Sequence, residues 1–214
     1  MADVERIAER LRAIPNVVAV VLGGSRAAGT HRPDSDWDFG IYYEGELDVS
    51  HVRALGYDGY VSEVGEWSPL MNGGAWFEVD GEKVDVIYRS VDAIAHWIAE
   101  AEEGRFRVEL LNGYLAGFPT TVLVGEVALC NVLHGSLPFA VPTFPEPLRV
   151  TAPQHWRGRR DFHEMYAGFH EQRGDDMLAV ANRTRALVEE AHARMAERGE
   201  WVLNEKGLLA RAGL

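Results

Sequence analysis

The segment that most constrains this chain is an apolar run, Val17-Val18-Ala19-Val20-Val21-Leu22. It breaks into Gly23-Gly24-Ser25 and is followed shortly by Ser35-Asp36-Trp37-Asp38-Phe39-Gly40-Ile41. An uninterrupted apolar run of this length, rich in valine, describes a buried strand. The glycines and serine fall where that strand must turn, and a turn there can aim backbone N–H groups at an anion such as phosphate. In the second stretch Trp37, Phe39 and Ile41 alternate with Asp36, Asp38 and Gly40. An extended chain therefore puts both carboxylates on one face and the apolar side chains on the other. Two carboxylates so placed suit a hard cation. Mg²⁺ fits best, because it takes few carboxylates and fills its other positions with water and substrate phosphates.

A third carboxylate is available further on. Trp76 to Tyr88 reads as two short strands joined at Asp80-Gly81, a dipeptide that favours tight hairpin turns. In the second strand Asp85 sits within Val84-Asp85-Val86-Ile87, where a carboxylate is expensive to bury unless it is paired or metal-bound. Glu78 and Asp80 compete for the same role. The turn accounts for Asp80, and the solvated face of its strand accounts for Glu78.

The strings Gly24-Ser25-Arg26-Ala27-Ala28-Gly29 and Ser35-Asp36-Trp37-Asp38 resemble the signature of the polymerase-β-type nucleotidyltransferase superfamily, closest to its small-molecule and minimal members. No Gly-X4-Gly-Lys-Ser/Thr phosphate loop is present. The resemblance implies an α/β (α+β) fold, a nucleotidyltransferase mixed sheet with flanking helices. It also implies transfer of a nucleoside monophosphate, AMP from ATP or the equivalent from another nucleoside triphosphate, to a hydroxyl. On it, Asp36 and Asp38 hold two Mg²⁺ ions, Asp85 completes the ion nearest the acceptor, and Gly24 and Ser25 grip the terminal phosphates. Arg26 would add charge at the leaving pyrophosphate, or else stand as a solvated arginine at a helix start. Relatives that modify drugs recruit a general base from outside the acidic triad. Glu109 is the candidate here and Glu126 the runner-up, against the plain alternative of a charged residue on a wet helix face. Lys206 is the candidate for reaching phosphate from the C-terminal part, as basic residues do in some relatives.

With 214 residues, 47% of them hydrophobic, the chain can bury a sizeable core. The expected organisation is a catalytic domain over 1–137, a Pro-rich linker over 138–153 and a helical bundle over 154–214, with Pro138, Pro142, Pro145, Pro147 and Pro153 excluding regular helix from the linker. Val4, Ile7, Ala8, Leu11 and Ile14 predict an amphipathic opening helix. Further helices are predicted over 91–103, from 105 to about 115 with Glu109 on it, over 154–171, and over 175–198 with Met177, Ala181, Val188, Ala191 and Met195 inward. His155, His163 and His170 share one helix face but lie two turns apart, too far for one metal. The lone cysteine, Cys130, excludes an internal disulfide, reads as a small buried hydrophobe, and fits a reducing cytoplasm. No apolar stretch has the length of a membrane helix, and no signal-peptide pattern opens the chain.

Charge is uneven. Residues 34–103 carry seventeen Asp or Glu against three Lys or Arg, and the net charge is −12. That balance disfavours long nucleic acid, which calls for a basic stripe. Beyond the metal ligands, the acidic excess points to a cationic small-molecule acceptor such as an aminoglycoside, although a solvated surface explains it nearly as well. Two alternatives stand beside this reading: a protein-adenylylating, antitoxin-type enzyme, and a nucleotide-binding regulatory protein without turnover.

Overall fold

The computed structural model describes residues 4–214. In chain order the elements are α1 (Val4–Arg12), β1 (Val17–Leu22), α2 (Gly24–Ala27), β2 (Trp37–Tyr43), α3 (Ser50–Arg53), β3 (Asp58–Val61), β4 (Gly74–Val79), β5 (Glu82–Ser90), α4 (Val91–Glu102), β6 (Val108–Glu109), β7 (Phe118–Pro119), α5 (Thr121–Leu129), β8 (Asn131–Gly135), α6 (Glu146–Gln172), α7 (Asp176–Arg198) and α8 (Leu208–Ala212). The chain forms two compact units. One takes the chain up to His96 together with Glu126–Val141; the other takes Trp97–Gly125 and Pro142–Leu214.

The first unit is built on a six-stranded mixed sheet in the order β3-β4-β5-β2-β1-β8. Only β2 and β5 run parallel; the remaining neighbours are antiparallel. One face of the sheet is apolar. Phe39, Ile41 and Tyr43 of β2, Val84, Val86 and Tyr88 of β5 and Phe77 of β4 pack there with Ile7, Ala8 and Leu11 of α1. The period-two alternation sends Asp38 and Asp85 to the other face. The β4–β5 hairpin turns at Asp80 and Gly81, both with positive φ (53° and 80°), the conformation that Asp-Gly adopts at low cost.

The second unit is centred on the α6–α7 hairpin. Along α7, Ala179, Ala186 and Ala193 recur at seven-residue spacing and are all buried, forming a seam of small side chains. Val188, Ala191 and Met195 are buried as expected, but Met177 (81% exposed) and Ala181 face solvent. The alanine seam, rather than the larger side chains near the start of α7, sets the helix rotation. Among the described residues no helix is long and apolar enough to cross a membrane.

The expected division into 1–137, 138–153 and 154–214 differs from these units in two ways. Residues 97–125 join the helical unit, and α6 begins at Glu146, well inside the Pro-rich stretch. Pro147 lies in the first turn, where a helix has no use for the N–H that proline lacks. Only Pro153 interrupts the helix interior. The helix expected from 105 to about 115 is replaced by the β6–β7 pair, with Glu109 opposite Phe118. Gly113 and Gly117 take positive φ (92° and 103°), and a Cβ on Gly117 would lie 2.7 Å from the Glu109 carbonyl oxygen, so the segment folds back where a helix would run on.

Candidate active site

β1 ends where Gly23 N–H donates to the Asp38 carbonyl at 2.7 Å, strapping the start of the loop to β2 at the acidic position. The next residues form α2, a single turn whose first residue, Gly24, has φ of 61°. Gly23, at the position before it, supplies no side-chain cap, so the opening N–H groups of this turn are not capped from that residue. A Cβ on Gly24 would stand 1.8 Å from Asp38 Oδ2 and 2.6 Å from its carboxyl carbon. The Asp38 carboxylate therefore rests directly against the bare backbone of the glycine turn. Gly24 is required both for its left-handed backbone and for the space this carboxylate occupies.

Asp38 and Asp85 are register partners across the parallel β2–β5 pair. Neighbouring strands lie about 4.8 Å apart, so the two carboxylates share one face within reach of a common ligand. Asp36 stands one residue before β2, and its backbone carbonyl, with that of Ser35, is held by Arg26: Nε donates to both at 3.1 Å and Nη2 to Ser35 at 2.6 Å. The Arg26 guanidinium also lies over the Trp37 ring at 3.8 Å. Arg26 thus braces the acidic segment against the turn. Ser25 is half-buried in α2. Asp80 is the turn residue and pairs with Arg6 at 3.3 Å in an exposed bridge, while Glu78 is exposed opposite Lys83. Among the described residues no group of three or more His, Cys, Asp or Glu side chains is gathered so as to hold a metal ion. The structure brings Asp38 and Asp85 together and leaves Asp36 beside them on the same strand line.

The remaining candidates fall elsewhere. Glu109 is half-buried on β6, and Lys206 is exposed in the turn before α8; both belong to the second unit. Glu126 forms a bidentate pair with Arg89, at 2.6 and 2.9 Å, and the Arg89 side chain is only 3% exposed. Arg89 also donates to the Met71 and Tyr88 carbonyls. This pairing assigns Glu126 a structural role that no local sequence pattern announces. Cys130 is half-buried, not fully buried as expected; desolvation still pushes its thiol up to about 11, which does not suit a nucleophile. His155, His163 and His170 all lie on α6; His163 Nδ1 is 2.8 Å from the buried carboxylate of Glu189.

Residues 4–91 match the family model described as nucleotidyltransferase domain. The protein adenylyltransferase MntA of Aphanizomenon flos-aquae (strain 2012/KM1/D3) is 24% identical over 140 residues, covering 62% of this chain and 84% of that protein. Among solved structures, a nucleotidyltransferase-like protein from Exiguobacterium sibiricum 255-15 aligns over 98% of this chain with 12% identity and a TM-score of 0.47; the chain spans 60% of that protein's length.

Proposed function

We propose, from the match of residues 4–91 to the nucleotidyltransferase domain family, that this protein moves AMP from ATP onto a hydroxyl of a small, cationic acceptor. The observation that carries the reading is the Asp38–Asp85 register, with the Asp38 carboxylate seated against the Gly24 turn. A phosphate turn and paired carboxylates on adjacent strands are what a triphosphate and a hard cation need side by side.

The donor set fits Mg²⁺, since carboxylates on two neighbouring strands leave most of an octahedral shell to water and phosphate oxygens. Asp38 and Asp85 would hold such an ion, with Asp36 beside them on the strand line; bound there, it would supply charge neutralisation at the α-phosphate and the departing pyrophosphate. The chain's own groups do the rest. Backbone N–H groups of Gly24 and Ser25, with the Ser25 hydroxyl, hold the terminal phosphates. Arg26 keeps the Ser35-Asp36 backbone in place. The bond broken joins the α-phosphorus to the bridging oxygen of pyrophosphate, and the bond formed joins it to the acceptor oxygen, whose proton passes to a carboxylate.

A second reading, AMP transfer to a protein hydroxyl, is favoured by the similarity to the adenylyltransferase MntA. The test incubates the protein with Mg²⁺, α-labelled ATP and a panel of aminoglycosides, lincosamides, nucleotides and candidate proteins. Label on a cationic small molecule is the expected result. Label on protein alone transfers the conclusion to the second reading.

A further inference from the structure

The row of register partners that contains Asp38 and Asp85 does not end with them. Asp85 opposes Trp76 across β5 and β4, and Trp76 opposes Tyr60 across β4 and β3. Residues directly opposed on neighbouring strands share a face. Asp38, Asp85, Trp76 and Tyr60 therefore form one line across four strands of the sheet, on the face away from the apolar core. Trp76, on β4 inside the sheet, is 52% exposed, and Tyr60, on the edge strand β3, is 40% exposed.

The rings are organised into a surface. Trp67 stacks on Trp76 with centroids 4.9 Å apart and planes 20° from parallel, and Tyr60 packs against Trp76 at 5.5 Å. Gly74 makes the stack feasible: a Cβ there would come within 2.7 Å of the Trp67 ring, so the absent side chain lets that ring come down onto the sheet. The Tyr60 hydroxyl is fixed by a hydrogen bond to Glu66.

Strand order gives this wall its place in the reaction. The phosphate turn follows β1, and the sheet runs β1-β2-β5-β4-β3. The turn and the aromatic wall thus flank the Asp38–Asp85 pair on opposite sides. In-line displacement requires the nucleophile to enter opposite the leaving group. With pyrophosphate leaving toward the Gly24 turn, the acceptor enters from the side of β4 and β3, where Trp76 is one strand from Asp85 and Tyr60 two. The charges around the wall are mostly acidic: Asp85, Glu78, Glu66 and Glu63. The nearby cations are Lys83, opposite Glu78, and Arg53, which is committed to Glu63.

We infer that Trp76, Tyr60 and Trp67 form the acceptor platform, selecting a hydroxylated ring compound that stacks an apolar ring face on indole and carries ammonium groups toward the surrounding carboxylates. Aromatic faces attract cations as well as C–H surfaces, and the acidic surroundings reject an anionic ring. The inference rests on the nucleotidyl-transfer reading for its orientation, but the platform is testable without turnover.

Calorimetric titration of the protein, without ATP or metal, with kanamycin, glucose and glucose 6-phosphate as cationic, neutral and anionic ring probes should rank them in that order. Trp76→Ala and Tyr60→Leu, both at exposed positions, should each weaken kanamycin binding, the first by about tenfold or more, while ATP affinity stays within about twofold. Equal binding of the three probes, kanamycin affinity unchanged in Trp76→Ala, or a loss confined to ATP would overturn the platform. If the probe ranking and the Trp76 effect hold but no AMP is transferred, the platform stands and the transfer reading fails.

Discussion

Replacing Gly24 with alanine separates two costs that the structure assigns to different causes. The backbone at Gly24 has φ of 61°, where an L-residue is strained by roughly 1–2 kcal/mol. In a chain of this size that strain lowers the melting temperature by only about 2–8 °C. The new Cβ would also lie 1.8 Å from Asp38 Oδ2, and relieving the clash to a 3.0 Å approach moves the carboxylate by about 1.2 Å. A misplacement of that size at a reacting centre costs on the order of 10²-fold in rate. Gly29 provides the matched control, since its φ is 68° and nothing lies within 4 Å of the Cβ it would gain. Gly29→Ala therefore bears the same backbone strain without touching Asp38. Pyrophosphate release under saturating Mg²⁺ and ATP, measured beside thermal melts, should show a loss of about 10²-fold in Gly24→Ala and a change within about threefold in Gly29→Ala, with similar melting shifts. Parallel activity losses in the two variants, or near-normal activity in Gly24→Ala, would show that the Asp38 carboxylate does not depend on the glycine's missing side chain.

Glu126→Ala should destabilise the protein by about 3 kcal/mol in denaturant titration, because it strips the bidentate partner from a buried Arg89; a kcat defect with unchanged stability would instead make Glu126 a chemical group. Burial pushes Glu190 upward, but hydrogen bonds from Arg157, Arg194 and Arg160 outweigh it and hold the carboxyl below 4.5. Its folded pKa being depressed, the stability it contributes is present above 4.5 and lost as pH falls through the folded value. Melting temperature should therefore drop on acidification below about pH 4.5, and Glu190→Gln should flatten that drop; an unchanged acid slope in the variant would contradict the assignment. The Cys130 thiol, pushed up to about 11, should alkylate slowly at neutral pH and faster in alkali, and rapid labelling at pH 7 would contradict that upward shift.

Much of the sheet unit was legible because its signals are local. The valine run, the dyad alternation through Asp36 and Asp38, and the Asp80-Gly81 turn each declare themselves within a few residues, and β1, β2 and the β4–β5 hairpin follow them. Asp85 was readable as a carboxylate out of place among valines. What escaped depends on pairings distant in sequence. Tyr60, Trp76, Asp85 and Asp38 become one row only through the register of four strands, and Arg89 meets Glu126 across 37 positions. The same applies to Gly24, whose contact with Asp38 emerges only when β1 and β2 pair. In the helical unit position overrides residue preference. Pro147 suits a first helical turn, the glycines at 113 and 117 turn the chain out of the expected helix, and the alanine seam of α7 outcompetes Met177 for the interior.

We propose that the Asp38–Asp85 pair drives transfer of the α-phosphoryl group. The most direct test measures pyrophosphate release and α-label transfer from Mg²⁺-ATP, in the presence of the acceptor panel, by the parent protein, Asp38→Asn and Asp85→Asn, each verified as folded by circular dichroism. The parent should give stoichiometric pyrophosphate and labelled acceptor, and both variants should lose at least about 10³-fold in rate. Near-normal transfer by either variant, or ATP binding by the parent with neither pyrophosphate nor label transferred, would contradict it.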